Sequence, residues 1–268
     1  MGSDAVKLSV HNVCKTFRVR GASGGKERVL NVLRNLSFDV RQGEVVSLIG
    51  ESGCGKTTLL RIIQGLVRMD SGLVAVDGRA VSGPGRDRGF VFQQASLLPW
   101  RTARENVEFG LELQGVARGS RTERALKLLM LVGLEQAAEQ YPHQLSGGMQ
   151  QRIGLARALA IDPAILLMDE PFSALDAQTR EVLQLELMHI HEQTAKTTLF
   201  VTHDLDEAIY LSDRVVVLAA RPGRVNKIIG VPFSHPRAAL AELRNEGLFQ
   251  EIRREMWSLI RTPAAAAA

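Results

Sequence analysis

Val45-Val46-Ser47-Leu48-Ile49 runs straight into Gly50-Glu51-Ser52-Gly53-Cys54-Gly55-Lys56-Thr57-Thr58, and this stretch decides the fold. The apolar run reads as a fully buried strand, the glycine-rich segment as a tight turn, and Lys56 to Gly65 as a helix. The pattern is G-x-x-x-x-G-K-[ST], set where it has to be, between a buried strand and a helix. Gly50, Gly53 and Gly55 permit backbone conformations that converge successive N–H groups on phosphate oxygens, and the helix that follows adds the positive end of its dipole. Lys56 supplies a cation for β- and γ-phosphates, and the Thr57 hydroxyl suits magnesium. Glu51, Ser52, Cys54 and Thr58 complete the candidate phosphate site. A nucleoside triphosphate is the expected ligand.

A second strand supports the first. Ile165-Leu166-Leu167-Met168 is apolar and ends in Asp169-Glu170, at what would be the C-terminal edge of a sheet, where open α/β sheets bind ligands. Standing alone, Asp-Glu after a strand is equally a helix cap. Paired with the glycine loop, Asp169 is expected to hold magnesium and Glu170 to act as general base on an attacking water.

Outward from these two strands, short apolar runs alternate with helical patterns, the layout of βαβ units. Strands are expected at Leu8 to Phe17, Leu36 to Val40, Leu73 to Val76, Gly89 to Phe92, Leu199 to Thr202 and Val215 to Leu218, with a Gly/Arg-rich hairpin loop over Arg18 to Arg28. From Thr102 to Ala160 the pattern is helical throughout, with stretches at Thr102–Leu113, Thr122–Val132 and Gly147–Ala160. That region reads as a helical subdomain inserted into an α/β core. Leu240 to Ile260 offers one or two amphipathic helices. Met1-Gly2-Ser3 and Ala264 to Ala268 carry no fold pattern.

Composition narrows the classes. The 268 residues are 45% hydrophobic, 23% charged and 5% aromatic, which excludes a disordered or collagen-like chain. The longest apolar runs are far short of the roughly 20 residues a spanning helix needs, so no membrane crossing is expected. No apolar leader segment suggests export. The net charge of +4, carried mainly by arginine, is too small to argue for nucleic acid. Cys14 and Cys54 have no metal-ligand spacing and read as free thiols.

Leu145-Ser146-Gly147-Gly148-Met149-Gln150-Gln151-Arg152 is a second anion-binding helix start, with a serine cap and two glycines ahead of a long helix. It is similar to the signature sequence of ATP-binding-cassette transporter ATPases, and the resemblance covers roughly residues 7 to 230. The family implies a RecA-like P-loop core of about 1–95 and 156–230, an antiparallel β subdomain, a helical subdomain of about 96–155 and a short helical tail over 231–268. It implies ATP and Mg2+ as ligands and a homodimer in which Ser146, Gly147 and Gly148 of one subunit close over the nucleotide on the other's glycine loop. By the same resemblance, Gln93 touches the metal and the water, and Asp176, in Ser173-Ala174-Leu175-Asp176, lies in the loop by which subunits sense each other. His203 contacts the γ-phosphate and Phe17 stacks on adenine.

Leu97-Leu98-Pro99-Trp100 through Val107, Asp206 through Arg214, and Arg221-Pro222-Gly223-Arg224 resemble bacterial importers of the nitrate, aliphatic sulfonate and taurine group. That likeness implies a peripheral subunit on the cytoplasmic face of the inner membrane. Its partners would be transmembrane permease subunits and, indirectly, a periplasmic substrate-binding protein, with no nucleic-acid partner. The segment after Gly230 is too short for the β-rich regulatory domain of some importer ATPases. The rival reading, an ATPase of the same type acting on another macromolecule, would bring coiled-coil insertions or a second cassette, and the sequence has neither.

Overall fold

The computed structural model describes residues 5–19 and 28–261. The hairpin tip expected within Arg18 to Arg28 falls, over 20–27, outside the described residues. In chain order come β1 Val6–Val19, β2 Arg28–Arg41, β3 Val45–Gly50, α1 Lys56–Gln64, β4 Ser71–Val76, β5 Arg79–Ala80 and β6 Arg88–Val91. Three helices follow with no strand between them, α2 Ala103–Leu113, α3 Arg118–Leu131 and α4 Gly147–Ala160. The chain then runs through β7 Ile165–Asp169, α5 Ala177–Thr194, β8 Thr197–Val201, α6 Leu205–Leu211, β9 Arg214–Ala219, β10 Arg224–Gly230, α7 Leu240–Leu243 and α8 Gly247–Arg261. These elements form two compact units, one made of the chain up to Gly85 with Leu199 onward, the other of Arg86–Thr198.

The first unit contains two sheets. The antiparallel one has the order β2-β1-β4-β5, with β1 pairing along β2 from Val6 opposite Arg41 to Val19 opposite Arg28. In the other, β10, β9, β3 and β8 are neighbours in that order; β9 is parallel to β3 and antiparallel to β10. Every residue of β3 and β8 is buried, as a strand covered on both faces must be, which is why both read as unbroken apolar runs. β10 is the strand that periodicity does not announce. Its residues Asn226 and Lys227 are exposed, and as an edge strand it needs no apolar face. α8 presents Phe249, Ile252 and Met256 to the interior at helical spacing, and Asp206 at the start of α6 binds Arg244 and Arg253 at 2.8 Å each.

In the second unit β6 and β7 are parallel, with Arg88 opposite Ile165 and Val91 opposite Met168. α2 starts at a capping box: the Thr102 hydroxyl accepts from the Glu105 N–H, while the Glu105 carboxylate accepts from the Thr102 N–H. Asn106, fully buried, accepts from the Leu98 N–H at 2.8 Å and donates to the carbonyls of Leu98, Arg101 and Thr102, pinning the loop ahead of α2 to the helix. α3 begins four residues before the expected Thr122, because its first turn, Arg118 to Arg121, is polar and carries no apolar signal.

Candidate functional site

The glycine loop lies wholly in the first unit. Gly53 and Gly55 have φ of 80° and 100°, left-handed conformations that cost a glycine little. Gly55 is also the N-cap of α1, and a Cβ there would fall 2.7 Å from Leu33 Cδ2 and 3.0 Å from Val32 Cγ1. The loop is thus seated on the middle of β2. A second support comes from the turn after β9: the Gly223 N–H donates to the Val32 carbonyl at 2.8 Å, and the Gly223 carbonyl accepts from the Arg34 N–H at 2.9 Å. A Cβ on Gly223 would lie 2.0 Å from the Cys54 carbonyl oxygen, so only glycine lets this turn reach the loop. Lys56 is buried, and its Nζ donates to the carbonyls of Gly50 (2.7 Å) and Glu51 (3.1 Å), which holds the ammonium at the loop. Cys54 is buried beneath it, and burial pushes its thiol up from the ordinary value. Glu51, Ser52 and Gly53 are exposed; Thr57 and Thr58 are half-buried in the first turn of α1.

Two further candidates belong to this unit. His203 is exposed and directly follows Thr202, whose N–H donates to the Leu48 carbonyl of β3 at 3.3 Å and whose hydroxyl donates to Glu207 at 2.5 Å. Asp204 then caps α6 by accepting from the N–H groups of Asp206 and Glu207. His203 is therefore held between a core strand and a capped helix. Phe17 pairs with Leu30 across β1 and β2, 38% exposed, with Lys15 Nζ 5.2 Å from its ring centroid. Lys15 is in turn fixed by Asp70 at 2.8 Å.

The second unit holds the other group. Asp169 ends β7, half-buried, and Glu170 follows at φ 45°, a conformation few non-glycine residues adopt and one that recurs at functional sites. Ser173, read from the sequence only as the start of the loop that carries Asp176, connects the candidates. Its hydroxyl donates to the Glu170 carbonyl at 3.0 Å and accepts from Gln93 Nε2 at 3.0 Å. Gln151 on α4 donates to the Phe92 carbonyl at 2.9 Å and so anchors the segment carrying Gln93. At the start of α4, Ser146 caps by accepting from the Met149 N–H at 3.3 Å, and a Cβ on Gly148 would fall 2.6 Å from Thr179 Cγ2. Asp176 caps α5, accepting from the Thr179 N–H and hydroxyl, bonds that hold its carboxyl below the ordinary range. Gln93, Ser96, Gly147, Gln151 and Leu175 line one cleft of about 440 Å3 in this unit.

A buried strand running through a glycine loop into a helix, in an α/β chain that also carries an Asp-Glu strand end, defines a phosphate-loop nucleoside triphosphatase. A family model described as ABC transporter matches residues 33–173, just over half of the chain. The chain belongs to the ABC transporter family, as one of its ATPase subunits. An uncharacterized ABC transporter ATP-binding protein of Methanocaldococcus jannaschii is 55% identical over 232 residues, 87% of this chain and 85% of that protein. A taurine import ATP-binding protein of Rhizobium johnstonii is 46% identical, covering 87% of this chain and 90% of its own. A nitrate import ATP-binding protein of Synechocystis is 45% identical, covering 88% and 91%. Among solved structures, a dimeric ATP-binding cassette in a post-hydrolysis state, bound to ADP and Pi, matches with a TM-score of 0.72 at 35% identity, over 85% of this chain and all of that one. These likenesses set the chain in the nitrate, sulfonate and taurine group, with the P-loop fold, antiparallel β sheet and helical insertion expected of it. No helix among the described residues is long and apolar enough to cross a membrane.

Proposed function

We propose that this chain is the ATP-hydrolysing subunit of a bacterial importer, working as a head-to-tail homodimer that drives uptake of a small anion such as nitrate, an aliphatic sulfonate or taurine through transmembrane permease subunits served by a periplasmic binding protein. The observation that supports the reading is the presence in one chain of two helix starts of the kind that bind phosphate, Gly55 ahead of α1 and Ser146 ahead of α4, about ninety residues apart. The importer assignment is supported by relatives named for taurine and nitrate import. In this reading residues 1–230 are the ATPase domain, with a helical subdomain of about 96–155, and 231–268 a tail. The subunit sits peripherally on the cytoplasmic face of the inner membrane.

In the proposed site the N–H groups of Gly50 to Thr58 and the Lys56 ammonium bind the phosphates, and Phe17 stacks on adenine. Glu170 takes the proton of the attacking water as general base, and Gln93 and His203 orient that water and the γ-phosphate. Ser146, Gly147 and Gly148 of the partner subunit, with its Asp176, complete each site. Thr57 by its hydroxyl, Asp169 by its carboxylate and Gln93 by its amide oxygen would hold the metal. These are hard oxygen ligands of the kind magnesium takes, and because Gln93 Nε2 donates to Ser173, Oε1 is the atom it would offer. When bound, Mg2+ neutralises charge on the β- and γ-phosphates.

The test is Glu170→Gln. ATP affinity is expected to be retained while steady-state hydrolysis falls by about 10²- to 10⁴-fold, the contribution of a positioned general base; hydrolysis near the wild-type rate would refute the assignment. Growth on taurine or nitrate as sole sulfur or nitrogen source, with and without the gene, checks the cargo.

A further inference from the structure

In the sequence Arg221-Pro222-Gly223 is only a mark of likeness to importers; in the structure it is part of the phosphate loop's surroundings. Gly223 brings the turn onto the Cys54 carbonyl and is tied by backbone bonds to Val32 and Arg34. Arg221 itself has φ 32°, in the left-handed region, and its side chain folds back over the loop. A Cβ built on Gly53 would lie 3.5 Å from an Arg221 Nη and 3.9 Å from its Nε. The guanidinium therefore occupies the space that a side chain at the central glycine of the loop would enter. The residue is exposed, and among the described residues no carboxylate forms an ion pair with it.

We infer that Arg221 is a nucleotide-binding residue whose guanidinium donates to the phosphate chain of the ATP or ADP held by Gly50 to Thr57. The inference rests on the reading of that loop as the ATP site. Three observations carry it. Lys56 is buried at the base of the loop with its Nζ on the Gly50 and Glu51 carbonyls, whereas Arg221 stands at the exposed rim beside Gly53, so the two cations serve different sides of one ligand. A planar guanidinium offers paired N–H donors that match phosphate oxygens, which a lysine there would not. Arg221 also has a reason to be where it is, since Gly223, two residues on, fixes the turn against Cys54 with no room for a side chain.

The experiment measures binding of ATP, ADP and adenosine to the full chain at fixed ionic strength for the wild type, Arg221→Gln, Arg221→Lys and Lys56→Ala. Arg221→Gln is expected to weaken ATP and ADP about tenfold, the loss of one charge-assisted bond, while adenosine binding and the thermal midpoint of the nucleotide-free protein stay unchanged. Arg221→Lys should recover part of the loss, by charge without the fork. Unchanged ATP affinity in Arg221→Gln, or an equal loss for adenosine, would overturn the inference. Lys56→Ala reports on the underlying reading separately: if it binds ATP as tightly as wild type, the loop is not the phosphate site, and the role of Arg221 falls with it.

Discussion

Glu170 sits at φ 45°, and its carbonyl receives both the N–H (3.2 Å) and the hydroxyl (3.0 Å) of Ser173, a hydroxyl shared with Gln93. Ser173 is thus a positioning residue for two candidates at once. Ser173→Ala should lower kcat about tenfold, a small part of the effect of deleting the base itself, with KM for ATP nearly unchanged. Ser173→Thr, which keeps the hydroxyl, should restore most of it; steady-state ATPase assays on both variants decide. Asp70 plays a comparable part beside the candidate Phe17 in the first unit. Hydrogen bonds from Lys15 and then Thr16 hold its carboxyl down to about 2, and Lys15 lies over Phe17. A depressed acid stabilises the fold above its unfolded value and loses that contribution as pH falls through its folded one. The stabilisation from Asp70 is therefore full above about pH 4 and lost as pH drops toward 2. Asp70→Asn should cost about 0.5–1 kcal/mol at neutral pH, the modest figure for a partly exposed pair, and should flatten the acid limb of an unfolding titration in that window. The Ser173–Gln93 and Asp70–Lys15 links are not legible from the sequence, because their partners lie 80 and 55 positions apart.

At the scale of elements, α6 shows how a short helix behind the candidate His203 is held. Its last carbonyls, of Ile209, Tyr210 and Ser212, accept from Arg237, whose side chain is fully buried. A cation at a helix C-terminus satisfies orphan carbonyls and opposes the negative end of the dipole. Burial lowers this guanidinium to about 10, with Asp213 acting against that. Arg237→Met leaves three carbonyls without their donor, and a loss of about 3 kcal/mol in a urea unfolding experiment is expected. Elements whose sequence carried their own reason were legible: β3 and β7 as continuous apolar runs, α1 from its glycine entry, and α4 from a serine cap and two glycines. α5 was not, although it is the longest helix among the described residues. Its buried residues Leu183, Gln184, Leu187, Met188 and Ile190 include a glutamine, while Val182 and Leu185 are exposed, so no clean apolar stripe marks it. β10 escaped notice because it is an edge strand. The glycine turn between β3 and α1 was readable to the residue. Its seat on Val32, Leu33 and Gly223 was not, since that depends on contacts with segments about 20 residues before it and about 170 after it.

For the whole molecule the decisive question is whether the two helix starts proposed to bind phosphate, at Gly55 and Ser146, serve one nucleotide or two. The loop belongs to the unit built from the chain up to Gly85 and from Leu199 onward, and Ser146 to the unit Arg86–Thr198. The proposed dimer makes each site from the loop of one copy and the signature of the other, and this can be tested by complementation. Lys56→Ala disables the loop of a chain and leaves its signature intact; Ser146→Arg fills the signature cap with a bulky cation and leaves the loop intact. Alone, each variant is expected to be inactive, since every site in its dimer lacks one half. Mixed in equal amounts and allowed to exchange, half of the dimers are mixed, and each mixed dimer has one intact site and one doubly broken site. ATPase activity should then rise to about a quarter of the wild-type value, the product of two halves for a two-fold dimer with independent sites. If loop and signature of the same chain formed the site, mixing would restore nothing, because no chain in the mixture carries both. Activity that appears only on mixing therefore requires a nucleotide shared between two copies, while its absence confines the site to one.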